Sequence, residues 1–201
     1  MPARRRRWIL LAGLVIVGAV IAASVAWRPL VASAPPVRPV QSAGERISVD
    51  GRDGVIPPGR TVSVFDDKKA AVRNLDPDLL DALRQAARDA EADGVGIGVS
   101  SGWRSPAYQR RLLREAVRRY GSAKEAARWV ATPGTSEHVK GEAVDVGPAD
   151  AASWLSRHGT AYGLCQIYGN EPWHYELRPD AVHDGCPPMY ADPTEDPRMR
   201  P

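Results

Sequence analysis

Four histidines and two cysteines are all that 201 residues offer of these soft metal ligands, and several catalytic signatures are missing outright. No serine is followed three residues later by lysine, which excludes the serine–lysine signature of penicillin-binding acyl enzymes. No H-E-x-x-H occurs, so the zincin helix is excluded as well. The glycines of "VGIGVS" (95–100) do not form G-x-G-x-x-G ahead of a helix, which removes a dinucleotide-binding loop. There is no internal repeat. A basic surface is lacking too, although the formal charge is +3 and the pI about 9.0. Arg4, Arg5, Arg6 and Arg7 carry four of those positive charges, so the remainder nets −1 and no nucleic-acid partner is expected.

What the N-terminus does have is a charge-free run from Trp8 to Trp27. In helical form such a run spans about 30 Å, the thickness of a bilayer core. Tryptophan at either end and arginines on one side predict a single-pass anchor with a cytoplasmic N-terminus. A cleaved signal peptide is the alternative, since "ASVAW" and "VASAPP" offer small-residue cleavage sites. Residues 1–7 therefore read as a cytoplasmic tail, 8–27 as anchor or signal, and 28–46 as a Pro/Ala-rich linker. Residues 47–186 read as the working domain and 187–201, with five prolines, as an irregular tail. Either N-terminal reading puts the domain outside the cytoplasm, where Cys165 and Cys186 are expected to pair as a disulfide.

Within the domain, "TVSVF" (61–65) alternates as a strand does. A helix follows, with Asp76 as N-cap, Pro77 at its first position, Gly94 past its end and Leu79, Leu80, Leu83, Ala86, Ala87 and Ala90 as its apolar stripe. "VGIGVS" reads as a packed strand. A second helix runs from Ser105-Pro106 to Gly121, with Tyr108, Leu112, Leu113, Ala116 and Val117 facing inward. A third opens at Ser122 with Glu125 completing a capping box and extends to Val130. "EAVDVG" (142–147) and "PWHYEL" (172–177) read as strands, with a short helix over "ADAASWLSRHG" (149–159) between them. Helices and short strands mix without a regular βαβ repeat, so the fold class is α+β.

The histidines divide into two kinds. His158 closes a helix, where a cationic imidazole suits the carbonyl end of the dipole, and His183 sits in a polar turn. His138 lies in a segment with no helical stripe, and His174 in an apolar strand. Asp145 is flanked by Val144 and Val146; if those valines face the core, Asp145 faces the other way. An acid on an interior strand needs a partner. Two histidines and one carboxylate would make a three-ligand zinc set with the fourth position open. Two hydrogen-bonded histidines and an ion-paired aspartate would account for the same residues.

Three blocks, "SGWRSPAYQ" (101–109), "SEHVKGEAVD" (136–145) and "EPWH" (171–174), resemble in order and spacing those of the VanY-like zinc D-alanyl-D-alanine carboxypeptidases. That family is related to D-Ala-D-Ala dipeptidases and to the zinc fold of Hedgehog signalling domains. The resemblance spans roughly Asp76 to Leu177, and Trp103 replaces the tyrosine more usual before the block's arginine. It implies a small, mainly antiparallel sheet with flanking helices and one Zn2+ per chain, held by His138, Asp145 and His174. It further implies Glu171 as general base, Arg104 over the scissile carbonyl, Ser136 and Gln109 along the substrate groove, and Trp173 beside the metal. The implied activity is release of the terminal D-alanine from peptidoglycan stem peptides, outside the cytoplasm and at the bacterial cell membrane. A D,D-dipeptidase, an L-Ala-D-Glu endopeptidase and a non-catalytic zinc-stabilised wall-binding module are the other readings of the same scaffold.

Overall fold

A computed structural model describes residues 51–199; the expected cytoplasmic tail, apolar segment and linker (1–46) lie outside them. Among the described residues no helix is long and apolar enough to cross a membrane. Five short strands form one sheet: β1 (Val62–Ser63), β2 (Gly98–Ser101), β3 (Ala143–Gly147), β4 (Leu164–Gln166) and β5 (His174–Leu177). Their order is β1-β2-β3-β5-β4, and every neighbouring pair is antiparallel. The described residues also form seven α-helices: α1 (Ala70–Arg73), α2 (Pro77–Ala92), α3 (Pro106–Tyr120), α4 (Ala123–Ala126), α5 (Glu137–Lys140), α6 (Ala149–His158) and α7 (Ala181–Asp184). The expected α+β class with a small antiparallel sheet is what the chain forms.

The longest of the described helices, α2, follows its sequence signals. Asp76 Oδ1 accepts from the amides of Asp78 and Leu79, and Pro77 occupies a first-turn position that needs no amide. Leu79, Leu83, Ala86 and Ala90 are buried against Val99, Val144, Val146, Leu164 and Tyr175 of the sheet and against Trp154 and Leu155 of α6. One face of the sheet thus carries the core. Because side chains alternate along a strand, the other face of β3 and β5 receives Asp145, His174 and Glu176.

Several expectations are corrected. Only Gln109 and Ala116 of α3 are buried; its Leu112 and Ala116 line an open cleft instead of entering the main core. The third helix stops at Ala126, and Trp129 beyond it stacks on Tyr120 at a centroid distance of 5.8 Å. His138 lies on a one-turn helix, α5, although its segment shows no helical stripe. The expected strands shorten at their ends, and β4, α1 and α7 have no counterpart in the periodicity. α6 does end at His158, with Gly159 as its C-cap; the chain then tightens into a 3-10 turn, and a Cβ on Gly159 would lie 2.5 Å from the Leu164 carbonyl oxygen. The tail after Pro187 contains two 3-10 turns and packs down, with Asp192 and Asp196 buried.

One close approach sets the geometry between β2 and the residues after it. A Cβ on Gly102 would fall 2.0 Å from the Ala71 carbonyl oxygen, so α1 and the β2 exit can touch only through glycine. Gly102→Ala is expected to destabilise the protein by about 2–3 kcal/mol through overpacking, measured by chemical denaturation. An unchanged midpoint would show that this contact has slack.

Candidate metal centre and cleft

Register brings the two key strands' polar residues face to face, since Asp145 of β3 is paired directly with His174 of β5. The third residue comes from α5, whose N-terminal half buries Glu137 and His138 while Gly141 (φ +88°) turns the chain into β3. His138 Nε2 lies 3.3 Å and His174 Nδ1 3.2 Å from Asp145 Oδ1. The donor atoms of all three residues lie within 4.8 Å of one another, and all three residues are buried. A tetrahedral zinc site with bonds of ~2.0–2.1 Å has donor–donor edges of about 3.3–3.4 Å. Two of the edges already match.

The far side of each imidazole fixes which nitrogen is offered. His138 Nδ1 lies 2.9 Å from the Gly102 carbonyl oxygen, which can only accept, so Nδ1 carries the proton and the Nε2 lone pair faces Asp145. His174 Nε2 lies 3.2 Å from Glu176 Oε1, which leaves Nδ1 facing the same point. Carbonyl and carboxylate partners of this kind orient metal-binding histidines. The donor set, its spacing and its tautomers therefore fit one divalent cation.

Electrostatics reinforce that arrangement. Burial opposes a charged Asp145, but His138, His174 and Arg104 outweigh it and hold the carboxyl well below its usual range. Burial, with the Arg104 charge beside it, lowers the proton affinity of His138 against the opposing pull of Asp145. For His174 burial acts downward too, yet hydrogen bonds to Asp145 and Glu176 push it up to about 9. A cation and a proton thus compete for His174 Nδ1.

Around this cluster opens a cleft of about 360 Å3. Arg104, Gln109, Ser136, Glu171 and Trp173 all line it, together with Tyr168 and, from the tail, Pro193 and Met199. Arg104 Nη2 donates to Asp145 Oδ2 at 2.8 Å and its Nε to Ser101 Oγ at 2.8 Å. Gln109 is 1% exposed, with its amide engaged at both ends, accepting from Arg104 Nη1 and donating to the Ala131 carbonyl. Its amide oxygen holds Arg104 at the wall of the cleft. Ser136 starts α5 without capping it, and Trp173 is the exposed rim of the cleft. Cys165 and Cys186 are bonded, tying β4 to the chain just after α7 around the segment that contains Glu171 and His174.

Glu171 is the unusual acid. Its Oε2 is 3.8 Å from His174 Nδ1, whereas its buried Oε1 has no hydrogen-bond partner. Burial raises its carboxyl to about 7, against the opposing pull of His174. Sequence reasoning did not find Glu176, the Gly102 carbonyl or Tyr168. The signal for Glu176 was available: two residues beyond His174 on a strand is the same face.

Residues 72–180 match the VanY family, D-alanyl-D-alanine carboxypeptidase. A D-alanyl-D-alanine carboxypeptidase of Enterococcus faecalis (strain ATCC 700802 / V583) is 37% identical over 123 residues, covering 49% of this chain and 43% of that protein. The chain thus spans less than half the length of that relative. The structure of VanYB in complex with D-alanine-D-alanine aligns with a TM-score of 0.51 at 29% identity, over 55% of this chain and 78% of the other. A vancomycin resistance D,D-pentapeptidase VanY mutant in complex with Zn(II) aligns at 0.48 and 30% identity, covering 51% and 72%.

The raised Glu171 carboxyl gives a pH signature in the metal-free protein. Its folded pKa of about 7 exceeds the ordinary 4.5, so its contribution to stability is intact below about 4.5 and is lost as pH rises through about 7. Glu171→Gln should therefore be more stable than the parent at pH 8 by on the order of 3 kcal/mol, and equal to it at pH 4. Denaturant titrations at the two pH values measure this, and a pH-independent difference would contradict it. Three sequence blocks in order, a family match over more than half of the residues and a convergent His-Asp-His cluster lead to one assignment: the chain belongs to the VanY family of D-alanyl-D-alanine carboxypeptidases.

Proposed function

We propose that the protein is a zinc-dependent D-alanyl-D-alanine carboxypeptidase that removes the terminal D-alanine from peptidoglycan stem peptides outside the cytoplasm. The observation that carries this reading is the buried Glu171 carboxylate oxygen with no partner, beside three converging donors. A wall-binding module has no use for such an acid. The D-alanine-D-alanine held by the VanYB relative supports the substrate class.

His138 Nε2, Asp145 and His174 Nδ1 would hold the ion. Bound there, zinc supplies a Lewis acid that polarises a carbonyl and acidifies water. Glu171 accepts a proton from the attacking water and returns it to the departing amine. Its burial strengthens its hold on a proton, which suits a group that takes one up and gives it back. Arg104, always cationic, opposes negative charge growing on the carbonyl oxygen, and Gln109 and Ser101 fix its guanidinium. The apolar run Trp8–Trp27 and the Cys165–Cys186 bond support a membrane-anchored, extracytoplasmic setting.

Mass spectrometry of a defined muropeptide pentapeptide incubated with the full chain tests the reading. Loss of one alanine, abolished by chelator and reduced at least about 1,000-fold by Glu171→Ala, is expected. Loss of a dipeptide, or cleavage between L-alanine and D-glutamate, would replace the substrate bond; undiminished hydrolysis by the variant would overturn the mechanism.

A further inference from the structure

The C-terminal tail lies beyond the residues that match the family, yet it reaches the back of the metal centre. Glu176, fully buried on β5, accepts from His174 Nε2 on one side. On its other side Arg198 grips both carboxylate oxygens, Nη1 to Oε2 at 2.7 Å and Nη2 to Oε1 at 3.3 Å. A two-point grip of this kind fixes the carboxylate plane, which a single contact does not. Arg198 Nη1 is also 3.5 Å from Glu137, the neighbour of His138. The guanidinium is held in turn by Asp196, which is 0% exposed and accepts from Tyr168 Oη at 2.8 Å. Tyr168 closes the circuit, its ring 5.1 Å from that of His174.

We propose that Arg198 is a positioning residue of the metal centre, acting through Glu176 to hold the His174 ring with Nδ1 toward Asp145. The tail is then a working part of the site. A surface arginine pair would be worth little; this one is anchored on two fully buried carboxylates. Arg178 also contacts Glu176, so loss of Arg198 leaves the charge of Glu176 countered while its orientation is freed. The inference rests on the zinc reading above.

Zinc affinity of the full chain, measured by competition with a chromophoric chelator, is the test, alongside the visible spectrum of the cobalt-substituted protein. Arg198→Ala should bind zinc about tenfold more weakly and broaden the cobalt bands, as losses of partners behind a ligand do. Arg198→Lys, a point charge without the fork, should recover only part of this. Asp196→Asn keeps Arg198 and covers the case in which the alanine variant does not fold; it should show a smaller loss of the same kind. In a Glu176→Gln background, Arg198→Ala should have no further effect. If the parent binds zinc and both Arg198→Ala and Asp196→Asn match its affinity and spectrum, the positioning role is wrong while the zinc reading stands. If the parent binds no zinc, both fall.

Discussion

The structure turns on one buried negative charge, the carboxylate of Asp145. Two imidazoles meet its Oδ1 and a guanidinium meets its Oδ2. An ionised carboxylate inside a fold is tolerable only when its partners are close and well aimed. Here the partners come from α5, from β5 and from the loop after β2, so that one charge fixes the relative placement of three separate stretches of chain. Protonated His174 shares that task; a metal ion held at the same point would displace that proton.

The sheet makes this possible by dividing its labour across two faces. On β3 and β5, Val144 and Tyr175 enter the core while Asp145, His174 and Glu176 turn the other way. The core face is ordinary close packing against α2 and α6. The other face is a network of charges stabilised by Arg104, Arg178 and Arg198, with Glu171 left unsatisfied at its edge. An acid held unpaired at a cost to stability is a mark of function.

How far this was legible in the chain depended on range. Asp76, Pro77, Ser105, Pro106 and Gly121 mark helix ends through contacts a few residues away, and the helices begin and end there. Val144-Asp145-Val146 showed which way the aspartate points, because alternation is a property of the strand itself. The three donors were readable as a set, from residue type and from the resemblance of the blocks around them. The amphipathic stripe of α3 misled, since a cleft lined with Leu112 and Ala116 has the same period as a core. The one-turn α5 carries too few residues to show any period. Arg198 was out of reach: its partner Glu176 is 22 residues away, and a proline-rich tail gives no sign of what it folds onto.

Everything in the account requires His138, Asp145 and His174 to share one ion. Crystals of the zinc-loaded protein, measured at the zinc absorption edge, address this directly. A single anomalous peak is expected about 2.0–2.2 Å from His138 Nε2, His174 Nδ1 and an Asp145 oxygen. A peak that misses any of the three, or zinc seated elsewhere in the protein, would contradict it.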